Sequence, residues 1–391
     1  MMQSKFHIAT EEEIFAGKVT DVYFERSRQI LQAENADKRV VAEFVVKNFP
    51  KDLQWGVFAG LEEAAEILKT LPVKAWTLPE GTLFRADEPV LVIEGNYLDF
   101  GSFETSLLGL ICQASGIATQ AARCRVAAEH RPVISFGARR MHPAIAPMIE
   151  RNAFIGGCDG VATIKSAELL GIEPTGTMPH ALVLMLGDTL DSMQAFDRHI
   201  DPKVARVCLI DTFADEKFEA IRIAEALGDK LFAIRLDTPG SRRGDLVKIM
   251  KEIRWELDIR GHENVKLFVS GGLDSHTIRQ YNEVADAYGV GTSLSSARVL
   301  DYSMDIVEID GAPLAKRGKA SGHKNLFRCD RCLHSHITPA STASLVCSAC
   351  RQAMRSMLEL AWDGQQWRQE RKSAQEIRES VLQQLRSIER E

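Results

Sequence analysis

"ARVCLIDTFADEKFEAIRIAEALGDKLFAIRLD" spans residues 205–237 and changes texture three times. "ARVCLID" is a short apolar run of strand type. "EKFEAIRIAEALGD" has the length and pattern of a helix. "KLFAIRLD" is a second strand. Strand, helix and strand in so short a span imply a βαβ unit and therefore a parallel pair. Downstream the alternation repeats: helix "GDLVKIMKEIRWELDIRG" (244–261), strand "VKLFVSGG" (265–272), helix "DSHTIRQYNEVADAYG" (274–289) and "GVGTSLS" (289–295). Upstream lie "PVISFG" (132–137) and the helix-length "DGVATIKSAELLG" (159–171), and "GTMPHALVLML" (176–186) reads as a further strand. The count predicts an irregular α/β, TIM-like barrel of seven or eight strands rather than a short open sheet.

The flanks read differently. A helix, "DVYFERSRQILQAEN" (21–35), precedes the strand "KRVVAEFVVKN" (38–48) and the helix-like "GVFAGLEEAAEILKTL" (56–71). Gly and Pro then punctuate short alternating runs in "LPEGTLFRADEPVLVIEGNY" (78–97), which predicts an α+β domain with an antiparallel sheet. A long helix from about Phe103 to His130 leads into the barrel. After Leu300, "SMDIVEIDGAPLAKRG" (303–318) reads as a hairpin turning at Asp310-Gly311. The expected domains are an N-terminal α/β domain with its linking helix (1–130), the barrel (131–300), a return to the N-terminal domain (301–326), and a small zinc-binding C-terminal domain with a tail helix (327–391). The charged tail from Trp367 to Glu391 reads as a solvated amphipathic helix.

With 391 residues, 45% hydrophobic and 26% charged, the chain has the composition of a globular protein with a large core. A net charge of -6 argues against a general nucleic-acid binder. The opening "MMQSKFHIATEEEIF" carries charge where a signal peptide needs an apolar stretch, and no window has the length of a membrane span. Cys112, Cys124, Cys158 and Cys208 are scattered singly and read as buried free thiols. Cytoplasmic location is the expectation.

Cys329-x2-Cys332 and Cys347-x2-Cys350, separated by 14 residues, have the spacing of a tetrahedral zinc site. Four thiolates close the shell, so the zinc is expected to be structural; His334 and His336 are spare. The intervening "LHSHITPASTASLV" is polar and nearly uncharged, which disfavours the rival reading of a zinc ribbon that binds nucleic acid or a partner.

In a βα barrel the chemistry gathers at the carboxyl ends of the strands. Those ends carry Arg139 and Arg140 in "SFGARR", Thr177 and His180 in "GTMPH", Asp211 and Thr212 in "LIDTF", and Arg235 and Asp237 in "IRLDT". Ser270, Gly271 and Gly272 end "FVSGG", and Gly289, Gly291 and Thr292 lie in "YGVGTS". Arginine forks at one rim suit phosphate or carboxylate. Asp211 and Asp237 suit a divalent ion or ribose hydroxyls. Glycine turns let backbone N–H groups approach phosphate. Singly, each has a plainer explanation: a helix cap, a βα turn or a buried histidine. Together, on successive strand ends, they predict a phosphate-and-ribose site.

"GKVTDVYFERSRQIL", "SFGARR", "GTMPHAL", "LIDTF", "IRLD", "VSGG" and "YGVGTSLS", in that order and spacing, resemble the nicotinate phosphoribosyltransferase family from about Gly17 to Lys319. The resemblance implies a type II phosphoribosyltransferase fold. It implies transfer of a phosphoribosyl group from 5-phosphoribosyl diphosphate to nicotinate, with Mg2+ on the diphosphate and coupling to ATP, as the first step of NAD salvage. It further implies that Tyr23 stacks on the pyridine ring across a subunit interface, so that the enzyme is at least a homodimer. Arg139 and Arg140 would meet carboxylate or phosphate, and Asp237 and Asp211 ribose or magnesium. Ser270, Gly271, Gly272, Gly291 and Thr292 would cradle the 5-phosphate, and ATP would phosphorylate His180. Thr177, Thr212 and Arg235 are further substrate-binding candidates. Two departures stand out: Pro179 precedes His180, and "RLDTPGSRRGDL" is extended, adding Arg242 and Arg243 near phosphate. A sibling transferase acting on nicotinamide or quinolinate is the nearest alternative.

Overall fold

The structure, a computed structural model, describes residues 5–50, 53–238, 240–241 and 244–388; Arg242 and Arg243 lie outside them. The chain divides into two compact units. One comprises residues 120–297, the other residues 1–119 together with 298–391.

Residues 120–297 form the parallel layer. Six strands run in the order Gly160–Val161, Val133–Ser135, Ala287–Val290, Lys266–Ser270, Ala233–Leu236, Val207–Leu209. Every pairing is parallel, as the βαβ pattern requires. Ile134, Val207, Ala233 and Phe268 pack together, with Phe136 and Ala287 against them. Helices Glu216–Leu227 and Leu246–Asp258 supply two crossovers, each capped by an aspartate, Asp215 and Asp245, that accepts first-turn N–H groups.

Among the described residues the parallel sheet has six strands, which corrects the expectation of seven or eight. "GTMPHALVLML" does not form a strand: His180–Leu186 is a helix entered through the extended Pro179. Proline cannot donate a ladder bond, and the run after it is continuous and apolar rather than alternating, so nothing ties it to a sheet register. Only the segment before it lies along the edge strand, through the Thr175 N–H to the Val161 carbonyl at 2.8 Å.

The other unit is built on a six-stranded antiparallel sheet, in the order Ala312–Pro313, Tyr302–Ile309, Arg39–Val46, Pro89–Asn96, Lys74–Thr77, Glu359–Trp362. The hairpin turns at Asp310-Gly311, both with positive φ (49° and 78°), the geometry of a two-residue turn. The Cys-x-x-Cys pairs belong to a four-stranded sheet of Ser335–Pro339, Lys324–Arg328, Ala353–Ser356 and Leu345–Val346. The tail helix, Ala374–Ile388, is docked rather than solvated: Ile377, Val381 and Leu385 are buried. Gln384 accepts the Leu83 N–H at 2.9 Å and donates to the Gly81 carbonyl at 2.9 Å. Residues at i, i+4 and i+8 make one face, which its charged neighbours disguise in the sequence.

Candidate active site

At the carboxyl ends of the parallel strands lies a cleft of about 600 Å³. Arg139, Arg140, Thr177, His180, Arg235, Asp237, Ser270, Gly271, Gly272, Gly291 and Thr292, all expected at a site, line it together. Asp211 and Thr212 do not line it. The Asp211 side chain is 2% exposed and supports His180 from below, its Oδ1 lying 3.1 Å from His180 Nε2. Thr212 Oγ1 is buried without a hydrogen-bond partner. Tyr23 belongs to the other unit, where its side chain is 56% exposed on the helix Val22–Ala33.

Arg235 ties the ends of two strands to the segment that carries Thr177. It donates to Ser270 Oγ at 2.9 Å, Thr177 Oγ1 at 2.8 Å and Asp237 Oδ2 at 3.2 Å, and its guanidinium lies over the Phe136 ring, 5.3 Å from the centroid. Ser270 Oγ donates in turn to Asp237 Oδ1 at 2.8 Å. Asp237 is therefore held on both oxygens. Burial pushes the Asp211 carboxyl above its usual range; the Asp237 charge adds to this, and His180 opposes it. Burial lowers the Arg235 guanidinium, with Arg139 adding to the effect. By contrast, neither Arg139 nor Arg140 forms a salt bridge among the described residues, so both are open to an anion.

Glycine is dictated by backbone conformation at Gly271 and Gly272 and by space at Gly289. Gly271 and Gly272 have φ of 90° and 68°, a turn that L side chains enter at a cost, and both line the cleft. A Cβ on Gly289 would stand 2.5 Å from the Phe136 ring. Phe136, Ala162, Thr163, Gly176, Met178 and Leu209 also line the cleft, and sequence reasoning misses them as site residues. Apolar and small residues there carry no chemical signal in a sequence.

Elsewhere, the four thiols Cys329, Cys332, Cys347 and Cys350 have Sγ atoms all within 4.8 Å of one another. The shorter separations are 3.3, 3.5 and 3.7 Å, against an S···S edge of about 3.8 Å in a tetrahedron of 2.3 Å metal–sulfur bonds. The two knuckles are built alike. The Leu333 N–H meets the Cys329 carbonyl as Arg351 meets Cys347, and Leu333 and Arg351 both take left-handed φ, 53° and 61°. Each such non-glycine residue costs about 1–2 kcal/mol, which thiolates bound to one ion would offset. Backbone N–H groups of Cys332 and Arg331 lower the Cys329 thiol to about 7. Cys332, despite an N–H from His334, is pushed up to about 12 by desolvation and by the thiols of Cys347, Cys329 and Cys350. Four thiolates this close repel unless a cation lies among them. The cluster could hold a metal ion such as zinc.

Residues 21–115 match the family described as quinolinate phosphoribosyl transferase, N-terminal domain, and residues 117–305 match its C-terminal domain. The chain belongs to this phosphoribosyltransferase family. "Nicotinate phosphoribosyltransferase pncB2" of Mycobacterium tuberculosis is 30% identical over 353 residues, covering 79% of this chain and 74% of that one. A structure titled nicotinate-nucleotide pyrophosphorylase, from Pyrococcus furiosus, is 50% identical, covers 99% of both chains and superposes with a TM-score of 0.97. Human nicotinic acid phosphoribosyltransferase, 18% identical over 94% of both chains, shares the fold with a TM-score of 0.72. Family membership makes this chain an enzyme of the phosphoribosyl-transfer class, with small-molecule substrates. Among the described residues no helix is long and apolar enough to cross a membrane.

Proposed function

We propose that the chain is a nicotinate phosphoribosyltransferase, joining nicotinate to 5-phosphoribosyl diphosphate to give nicotinate mononucleotide and diphosphate. The charge arrangement of one cleft carries this reading. Among the described residues, the glycine turn at Ser270–Gly272 and Arg139 and Arg140, which form no salt bridge, face a space lined by a single carboxylate, Asp237. A relative 30% identical over most of the chain is named for the same activity.

The pyridine nitrogen brings its own lone pair, so no general base is required. Its bond to C1′ forms as the bond from C1′ to the diphosphate oxygen breaks, and the electron pair leaves on diphosphate. The enzyme's task is to hold the two reactants in line and to stabilise separating charge. Backbone N–H groups of Gly271, Gly272 and Gly291, with the Thr292 hydroxyl, hold the 5-phosphate. Arg139 and Arg140 meet the nicotinate carboxylate or the diphosphate. Asp237 faces the ribose. One cleft-lining carboxylate suits Mg2+, which keeps most of its shell for water and substrate phosphates and would neutralise the leaving group. His180, oriented by the buried Asp211, is the group ATP would phosphorylate. Tyr23 serves the cleft of a second copy in a homo-oligomer. The four-cysteine site takes structural Zn2+. Cysteines free of disulfides suit the cytoplasm.

A substrate panel tests the reading. Nicotinate, nicotinamide and quinolinate are each supplied with phosphoribosyl diphosphate and Mg2+, with and without ATP, and diphosphate release is followed. Release with nicotinate, raised by ATP in the native enzyme but not in His180→Ala, is expected. Turnover of quinolinate with loss of carbon dioxide, and none with nicotinate, would favour the sibling activity named by the family description.

A further inference from the structure

Glu150 is a buried carboxylate that the proposed chemistry does not use. It lies in the helix Ala146–Ile155 and is 0% exposed. Its Oε1 accepts the Ala162 N–H at 2.9 Å. Its Oε2 accepts the Thr163 N–H at 3.0 Å and the Thr163 hydroxyl at 2.6 Å. Ala162 and Thr163 both line the cleft, directly after the edge strand Gly160–Val161.

That strand is only two residues long and sits at the end of the sheet, so the ladder alone fixes it weakly. The carboxylate supplies what the ladder lacks: three donors from one wall converge on one rigid anchor, and bonds to a charged acceptor are about twice as strong as neutral ones. The anchoring extends further. Thr175 is bonded to Val161, and a Cβ on Gly160 would lie 2.6 Å from Thr175 Oγ1, so the next segment is pressed against the same strand. It continues through Gly176, Thr177, Met178 and Pro179 to His180, all lining the cleft.

Sheet order places this edge three strands from the Lys266–Ser270 strand that ends in the glycine cradle, about 14 Å at about 4.8 Å per strand. A mononucleotide whose 5-phosphate sits in the cradle would reach across towards that edge and bring its base to the far wall. We propose that Glu150 is a positioning residue which sets the pyridine end of the cleft by holding the backbone of Ala162 and Thr163. The inference rests on the function proposed above.

Glu150→Gln keeps the shape but turns one N–H donor towards another, so at least one bond is lost. Expected is a rise of about tenfold in KM for nicotinate, with kcat and the KM for phosphoribosyl diphosphate within about threefold of the native values. Amide hydrogen exchange at Ala162 and Thr163 should quicken by about tenfold or more. A lower melting temperature with an unchanged nicotinate KM, or an equal rise in both KM values, would overturn the proposal. Exchange needs no substrate. If the native enzyme is inert towards nicotinate, the functional reading falls, and unchanged exchange in the variant would still overturn the anchoring role while faster exchange would uphold it. Should Glu150→Gln fail to fold, Thr163→Val removes the hydroxyl bond to Glu150 and with it the cap on the Ser166 N–H, Thr163→Ser keeps both, and a rise in the nicotinate KM with faster exchange in the first but not the second is expected.

Discussion

Phe136 and Gly289 show how one residue can be dictated by another far away in sequence. The Phe136 ring packs edge-on against Phe268, with centroids 5.9 Å apart, beneath the Arg235 guanidinium. It cannot step aside for a methyl group on Gly289 without moving Arg235 and the strand ends that Arg235 ties together. Gly289→Ala is expected to cost about 1–3 kcal/mol in urea unfolding and to lower kcat/KM about tenfold or more. Glu104 is a second case. Burial, with the charges of Asp305 and Asp21 adding and Lys316 opposing, raises its carboxyl from 4.5 to about 7. The folded chain then binds this proton more tightly than the unfolded chain. The contribution to stability is full below pH 4.5 and is lost as pH rises through about 7. Melting temperatures of native protein and Glu104→Gln, measured across that window, should show a fall in the native protein that the variant lacks.

Among the elements, the βα alternation is legible because each strand is a short apolar run ended by a turn residue and the crossover helices Glu216–Leu227 and Leu246–Asp258 each carry an aspartate cap. The segment 176–186 is not legible. Apolar runs of that length suit strand or helix equally, and Pro179 with the absence of a paired register decides for helix. The tail helix reads as solvated because charges outnumber its three buried residues. Its docking depends on Gly81, where a Cβ would stand 2.7 Å from Ile377, a residue remote in the chain. The cysteine sheet is tied in the same way. Arg328, next to Cys329, is buried, bonds Glu88 at 2.8 Å and also donates to the Leu83 carbonyl. Cys347→Ser is therefore expected to lose one metal ion per chain by elemental analysis and to lower the unfolding midpoint of the whole unit. Equal metal content or an unchanged midpoint would refute a structural ion.

The whole-molecule question is whether Tyr23 acts on its own chain or on a neighbour. Tyr23→Ala and Asp237→Ala chains, each impaired alone, can be mixed by co-expression. If Tyr23 serves a neighbouring copy, a mixed dimer contains one site with both native residues, and random pairing should restore about a quarter of native sites. Activity at low nicotinate no higher than that of the separate variants would overturn the shared site.

The parallel layer, the polar strand ends, the glycine turns and the spacing of the paired cysteines follow from the sequence itself. Each rests on local chemistry: periodicity, capping, backbone freedom and ligand spacing act over a few residues. The tertiary structure decided which strand ends converge, that Asp211 lies beneath His180 rather than in the cleft, and that Glu150 faces inward to hold the wall. Those outcomes depend on distances between segments remote in the chain, and packing rather than residue type sets them.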